Sequence, residues 1–216
     1  MHRDSLWLLL QLADGSFPSG GFAHSYGLEA ALAFGGADQR LEDFLDDQIE
    51  QTGAALLPFV RAACAVPSLI AELDFAIDAT IPLPVPNRAS RAQGRALASA
   101  ASRIFDVPAI VEHARSGPAH HPIVFGALFG SLDIDARSTL AAYLHGATRG
   151  VLSAAVRLNV VGPLEAQRFH ADRAALLDAT LERALDACID DVAQTAPLLE
   201  LYAALHDRLD ARMFQS

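Results

Sequence analysis

The stretch from Arg137 to Val161, RSTLAAYLHGATRGVLSAAVRLNVV, decides the fold. Leu140, Tyr143, Leu144, Val151, Leu152, Val156 and Leu158 place apolar side chains nearly all round a helix drawn through it. A helix of that kind needs neighbours on several sides, so the stretch predicts a buried central helix at about 137–161 inside a bundle. Two amphipathic stretches supply neighbours. From Gln39 to Ala65, Leu41, Phe44, Leu45, Ile49, Leu56, Phe59, Val60 and Ala63 recur mostly at spacings of three, four and seven. Asp38 is placed to cap its start, and Pro58 predicts a kink or break near Leu57. From Pro163 to Val192 the apolar face is Phe169, Leu176, Leu177, Leu181, Leu185, Cys188, Ile189 and Val192, with Pro163 in the first turn after Gly162.

Composition agrees with this reading. Alanine and leucine, both strong helix formers, make up a third of the 216 residues. Further helices are expected at about 4–12, 23–33, 68–78, 89–104, 107–115, 122–131 and 196–210. Connectors are expected at 15–21, 35–36, 81–86, 116–122 and 162–163, the third of these because of its three prolines. The expected architecture is all-α: a single-domain bundle of roughly nine or ten helices around one buried helix, spanning 1–216. Its last residues, about 207–216, read as a flexible tail.

The chain is 52% hydrophobic, 19% charged and carries a net charge of −10. That acidity argues against nucleic acid as a partner. All 16 cations are arginine. Without lysine there is no Walker-type phosphate loop, Schiff base or lysine general base. Gly15–Gly21, with neither that lysine nor a preceding strand, is a poor phosphate cradle. Cys64 and Cys188 stand alone and read as buried thiols of a reducing compartment. The apolar run Leu6–Leu10 is too short for a signal peptide, and no stretch reaches the ~20 apolar residues of a membrane span. The expected location is the cytoplasm, away from membranes.

Catalytic chemistry finds little support. Ala23-His24-Ser25-Tyr26-Gly27 fits a relaxed nucleophile-elbow pattern, which makes a serine hydrolase using Ser25 the alternative reading. An elbow requires a strand before the serine, and Pro18, Gly20 and Gly21 do not form one. The eight histidines include no HxxxH or HExxH pair. A nickel-storing role would need such a site. His120-His121, flanked by Pro118 and Pro122, reads as a surface turn. His145 and His170 read as helical histidines, interior or surface, rather than ligands. The carboxylates of 42–47 and 172–191 read as solvated faces.

Three blocks carry a resemblance. Phe17-Pro18-Ser19-Gly20-Gly21-Phe22-Ala23-His24-Ser25-Tyr26-Gly27-Leu28-Glu29 resembles the N-terminal signature of the UreF family. Ser153-Ala154-Ala155-Val156-Arg157-Leu158, with Val161-Gly162-Pro163-Leu164 and Gln167, resembles the family's central-helix signature. His206, Leu209, Arg212 and Phe214 resemble its C-terminal pattern, with Met213 in place of the usual Leu. Arg91-Ala92-Gln93-Gly94-Arg95 and His121-Pro122-Ile123-Val124-Phe125-Gly126 are smaller echoes. The blocks run in order along nearly the whole chain.

The resemblance implies an all-helical urease accessory protein that catalyses no reaction itself. It implies a dimer that binds UreD (UreH in some organisms), recruits the GTPase UreG, docks on apo-urease and assists insertion of nickel. The implied roles include acting as a chaperone, modulating the UreG cycle and lining part of a nickel path. No permanently bound cofactor is implied, only nickel in transit. The implied partner-binding residues are His206, Leu209, Arg212, Met213 and Phe214. Pro18, Gly20, Gly21, His24, Ser25, Gly27, Glu29, Arg157 and Gly162 are implied as structural. Gly20 and Gly21 would supply positive φ or close packing, and His24 and Ser25 would cap or hydrogen-bond at the turn. Glu29 would be the partner of Arg157.

Overall fold

The computed structural model describes residues 5–35 and 40–216. Asp38, the expected cap, lies outside them. The helices are α1 (Ser5–Ala13), α2 (Leu28–Phe34), α3 (Leu41–Gln51), α4 (Leu57–Ala65), α5 (Ile70–Thr80), α6 (Pro84–Ala101), α7 (Pro108–Ser116), α8 (His121–Ser131), α9 (Ala136–Arg157), α10 (Pro163–Asp172), α11 (Ala174–Asp186) and α12 (Pro197–Leu205). There is no strand among the described residues, and the fold is all-α, as the periodicity indicates. No single helix among them is long and apolar enough to cross a bilayer.

The expected central helix is α9. It touches α1, α2, α3, α4, α8, α10 and α11. Asp135 caps its start by accepting the Ser138 amide at 2.9 Å. It shares the centre with α8, in which every residue from Pro122 to Phe129 is buried. Two glycines set the approach of α8 to α4. A Cβ at Gly126 would strike the Val60 carbonyl, and one at Gly130 the Cys64 carbonyl. Small residues one turn apart let the two backbones come into contact.

Several boundaries differ from the expectations, each for a local reason. α3 runs into α4 through a π turn, Thr52–Leu56, rather than breaking. Pro58 has no N–H to offer the Ala54 carbonyl four residues back. That oxygen instead accepts the Ala193 amide at 3.3 Å. The connector expected at 81–86 ends early, because Pro84 and Pro86 occupy the first turn of α6, where no N–H is needed. The helix expected from 163 to 192 divides at Arg173 and ends at Asp186. Beyond it the Asp191 carboxylate accepts from the amide and thiol of Cys188. Cys188 is therefore exposed, against expectation, whereas Cys64 is buried.

His120-His121 is the largest correction. It is no surface turn: His120 is fully buried. Its Nδ1 meets Ser90 Oγ at 3.0 Å and its Nε2 meets Asp78 Oδ1 at 2.8 Å. Asp74, also fully buried, accepts the amides of Ala119 (2.6 Å) and His120 (2.8 Å) and bonds His113 Nε2 at 2.6 Å. Ala119 takes a φ of 61° to aim those amides at it. The echo motif around Gly94 braces the same loop. Arg91 and Arg95 donate to the Pro118 and Gly117 carbonyls. A Cβ at Gly94 would collide with the Ala119 carbonyl. A polar staple thus joins α5, α6, α7 and α8.

Candidate functional site

The N-terminal motif is a folded loop with one 3-10 turn, Gly21–Ala23, and no α-helix of its own before Leu28. Gly20 (φ 79°), Tyr26 (φ 57°) and Gly27 (φ 85°) all lie in the left-handed region. That is why α2 starts at Leu28 and not at 23. Gly27 must also be small, since a Cβ would lie 3.1 Å from the Ala203 amide nitrogen of α12. Gly21 has no positive φ, and a Cβ there would sit 3.3 Å from the Tyr26 hydroxyl. Pro18 is exposed at the outer edge of the loop. Gly162 precedes α10, where a Cβ would meet nothing, so its surroundings do not require glycine.

Onto this motif folds the C-terminal segment 207–216, expected from the sequence as flexible. Glu29 does not pair with Arg157. Its two carboxylate oxygens accept the amides of Met213 (2.7 Å) and Phe214 (3.3 Å). Gln215 donates its amide to the Ala23 carbonyl at 2.8 Å, and Ser25 donates its amide to the Ser216 carbonyl at 2.6 Å. Ser25 Oγ donates to the same carbonyl at 3.0 Å. His24 Nδ1 bonds the Ser216 hydroxyl. His206, fully buried, donates Nε2–H to the Phe214 carbonyl at 3.1 Å. His24 and Ser25 therefore hydrogen-bond from the turn, to Ser216, and do not cap α2, whose N-cap is Gly27 without a side-chain bond.

Arg157 finds its partners here. Its guanidinium stacks 3.8 Å from the Phe22 ring centroid and 4.2 Å from that of Phe214. It also donates to the Phe22 carbonyl. Phe214 is buried beneath it, while Phe22 and Met213 are 72% and 54% exposed. Leu209 is half-buried. Arg212 pairs with Asp207 (3.1 Å), which also holds Arg88 (3.0 Å). Five of the implied residues, His24, Ser25, Glu29, Arg157 and Phe214, form one interlocked cluster from positions nearly two hundred residues apart.

The burial has electrostatic consequences. Desolvation, with the nearby His206 adding to it, pushes the His24 imidazole down to about 4. Burial, then the His24 charge, does the same to His121. Both imidazoles are neutral at pH 7. Burial also raises the Tyr26 and Tyr143 phenols. Ser25 is completely buried and donates its hydroxyl to a carbonyl, with no strand before it. Nothing of a nucleophile elbow surrounds it.

Sequence reasoning passed over Asp74, Gln51 and the contact of His145 with His170 (3.1 Å between Nδ1 and Nε2). Asp74 left a trace: with Ile70, Leu73 and Ile77 it lies on the buried stripe of α5, where a carboxylate must be satisfied internally. Gln51 similarly sits on the buried face of α3 and accepts the Thr195 and Ala196 amides at 2.6 and 2.9 Å. Among the described residues no group of three or more His, Cys, Asp or Glu is placed to hold a metal ion.

Known proteins match along nearly the whole chain. The UreF family model matches residues 37–174. Urease accessory protein F of Arabidopsis thaliana is 36% identical over 221 residues, 97% of this chain and 92% of its own. Urease accessory protein F of Oryza sativa subsp. indica is 34% identical over 99% of this chain and 86% of its own. Urease accessory protein UreF of Arthrobacter sp. (strain FB24) is 28% identical, with 96% of both chains covered.

Proposed function

Because the chain belongs to the UreF family of urease accessory proteins, we propose that it is a non-catalytic cytoplasmic scaffold that assembles the nickel centre of apo-urease. In this reading it forms a homodimer, binds UreD (UreH), and the pair recruits UreG and modulates its GTPase cycle. Nickel is cargo passing through the assembly and not a resident cofactor.

The observation that carries the reading is the convergence of the two terminal motifs. The blocks that resemble the family's N-terminal, central and C-terminal signatures meet through Glu29, Arg157 and Phe214. The surface they make shows exposed Phe22 stacked on the Arg157 guanidinium, and exposed Met213 next in sequence to the Phe214 that the same guanidinium covers. Aromatic, Met and Arg side chains on one folded patch are the usual material of an interface centre. UreD is the proposed occupant of that patch.

Co-expression with a UreD homologue, followed by size-exclusion chromatography with and without UreG and GTP, tests the assignment. The expected result is co-elution with UreD, and a larger species when UreG and GTP are added. Elution of this protein apart from UreD at micromolar concentration overturns it.

A further inference from the structure

Independently of the assembly role, one internal cavity has the chemistry of a small-molecule site. It measures about 460 Å³ and lies between the loop 14–22, α6, α8 and α9. That is the size range of organic ligand sites, about 300–1,000 Å³. Exposed Gly15, Ser16 and Phe22 line its mouth. Phe125 and Tyr143 supply aromatic wall inside.

Its charge is opposite to that of the protein. The chain carries −10 overall, yet two guanidinium groups, Arg149 and Arg157, line this cavity against a single carboxylate, Asp14. Asp14 is at the exposed rim and already accepts the Ser16 amide at 2.6 Å. Arg157 is engaged by Phe22 and Phe214. Arg149 is felt by the rim carboxylate of Asp14, whose pKa it helps the Ser16 amide to lower, but Arg149 makes no ion pair with it. Among the described residues it has no carboxylate within ion-pair distance. Its Nε is buried away from solvent, so the atoms open to a ligand are its two terminal amino groups, neither of which has an acceptor among the described residues. The terminal amino groups of a guanidinium form a fork that fits a carboxylate. The nearby phenol of Tyr26 is a further donor, and its neutral form is favoured by burial. A bare cation entering here would face only repulsion from Arg149.

We infer that this cavity binds a small organic carboxylate, its anionic head on Arg149 and its apolar body against Phe125 and Tyr143.

Calorimetric titration of the full-length protein with benzoate, acetate and benzyl alcohol at matched ionic strength separates the contributions. Benzoate is expected to bind saturably and more tightly than acetate, and benzyl alcohol not to saturate. Arg149→Gln is expected to weaken benzoate at least about tenfold, the loss of a charge-assisted hydrogen bond, and Arg149→Lys to recover part of it. A second variant guards against misfolding of the first. Gly146 lines the cavity in α9, and a Cβ there meets nothing within 4 Å. Gly146→Leu therefore starts into open space, improves helix propensity, and is expected to abolish benzoate binding in a folded protein. Benzyl alcohol binding as well as benzoate, or unchanged benzoate affinity in Arg149→Gln or Gly146→Leu, overturns the inference.

Discussion

Glu29 spends its charge on backbone rather than on Arg157. Two amides at the chain end, of Met213 and Phe214, point at its carboxylate. Hydrogen bonds to a charged group are worth about 1.5–3 kcal/mol, so Glu29→Ala is expected to cost about 2 kcal/mol in urea unfolding. It should also speed carboxypeptidase removal of the last residues, whereas Ser19→Ala should do neither. His24 and His121 make a second prediction. Both have a folded pKa near 4 against an ordinary 6.5. Between those values the unfolded chain takes up protons that the folded chain refuses. Stability is therefore full above pH 6.5 and falls as the pH drops towards 4, by up to about 3 kcal/mol for each histidine. Urea midpoints at pH 7.5 and 5.0 should differ, and His121→Phe should flatten the difference. An unchanged midpoint in the wild-type protein rules the mechanism out. The sequence showed that these residues were special without showing how. Nothing in the spacing of Glu29 and Arg157 says that their partners lie at the other terminus. A contact between distant positions leaves no periodic trace.

Helices were legible where a face repeats, and less so where backbone geometry intervenes. α9, α3 and α4 follow from their apolar stripes, which any helix of that composition must bury. The π turn does not, because Pro58 admits a break, a kink or a bulge equally well. The choice is made by Ala193, whose amide takes the oxygen that Pro58 leaves free. His120-His121 was misread because prolines on both sides suggest a turn, while its burial depends on Asp74 from another helix. The α5–α8 staple gives a prediction. Asp74→Ala leaves two buried amides and the His113 imidazole unpaired. It is expected to destabilise by about 3 kcal/mol or more. Glu72→Ala, on the acidic first turn of the same helix but exposed, should stay within about 0.5 kcal/mol of wild type. The α4–α8 seam gives another. Gly130→Ala inserts a methyl group against the Cys64 carbonyl. An overpacked seam costs about 1–3 kcal/mol, read as a lower thermal midpoint.

At the scale of the molecule, the C-terminal segment closes on the motif at 22–29, and that changes what a truncation tests. Residues 207–216 include part of one short 3-10 turn, His206–Arg208, and no α-helix. Removing them should leave the helical dichroism at 222 nm essentially unchanged. It should still lower the urea midpoint, because it uncovers the seat of buried Phe214, a side chain worth about 1.5–3 kcal/mol. Loss of UreD binding by such a truncation would then have two explanations: a missing contact or a loosened N-terminal motif. Met213→Glu separates them. Met213 is half-exposed, and its anchoring group is its amide, which the substitution keeps. The variant is expected to unfold within about 0.5 kcal/mol of wild type, as surface changes do, and to fail to co-elute with UreD because a carboxylate now faces the centre of the patch. Phe22→Glu should behave likewise, except for a small stability loss from its stack on Arg157. If both variants bind UreD normally while the truncation does not, the tail serves the fold and the partner surface lies elsewhere on the bundle.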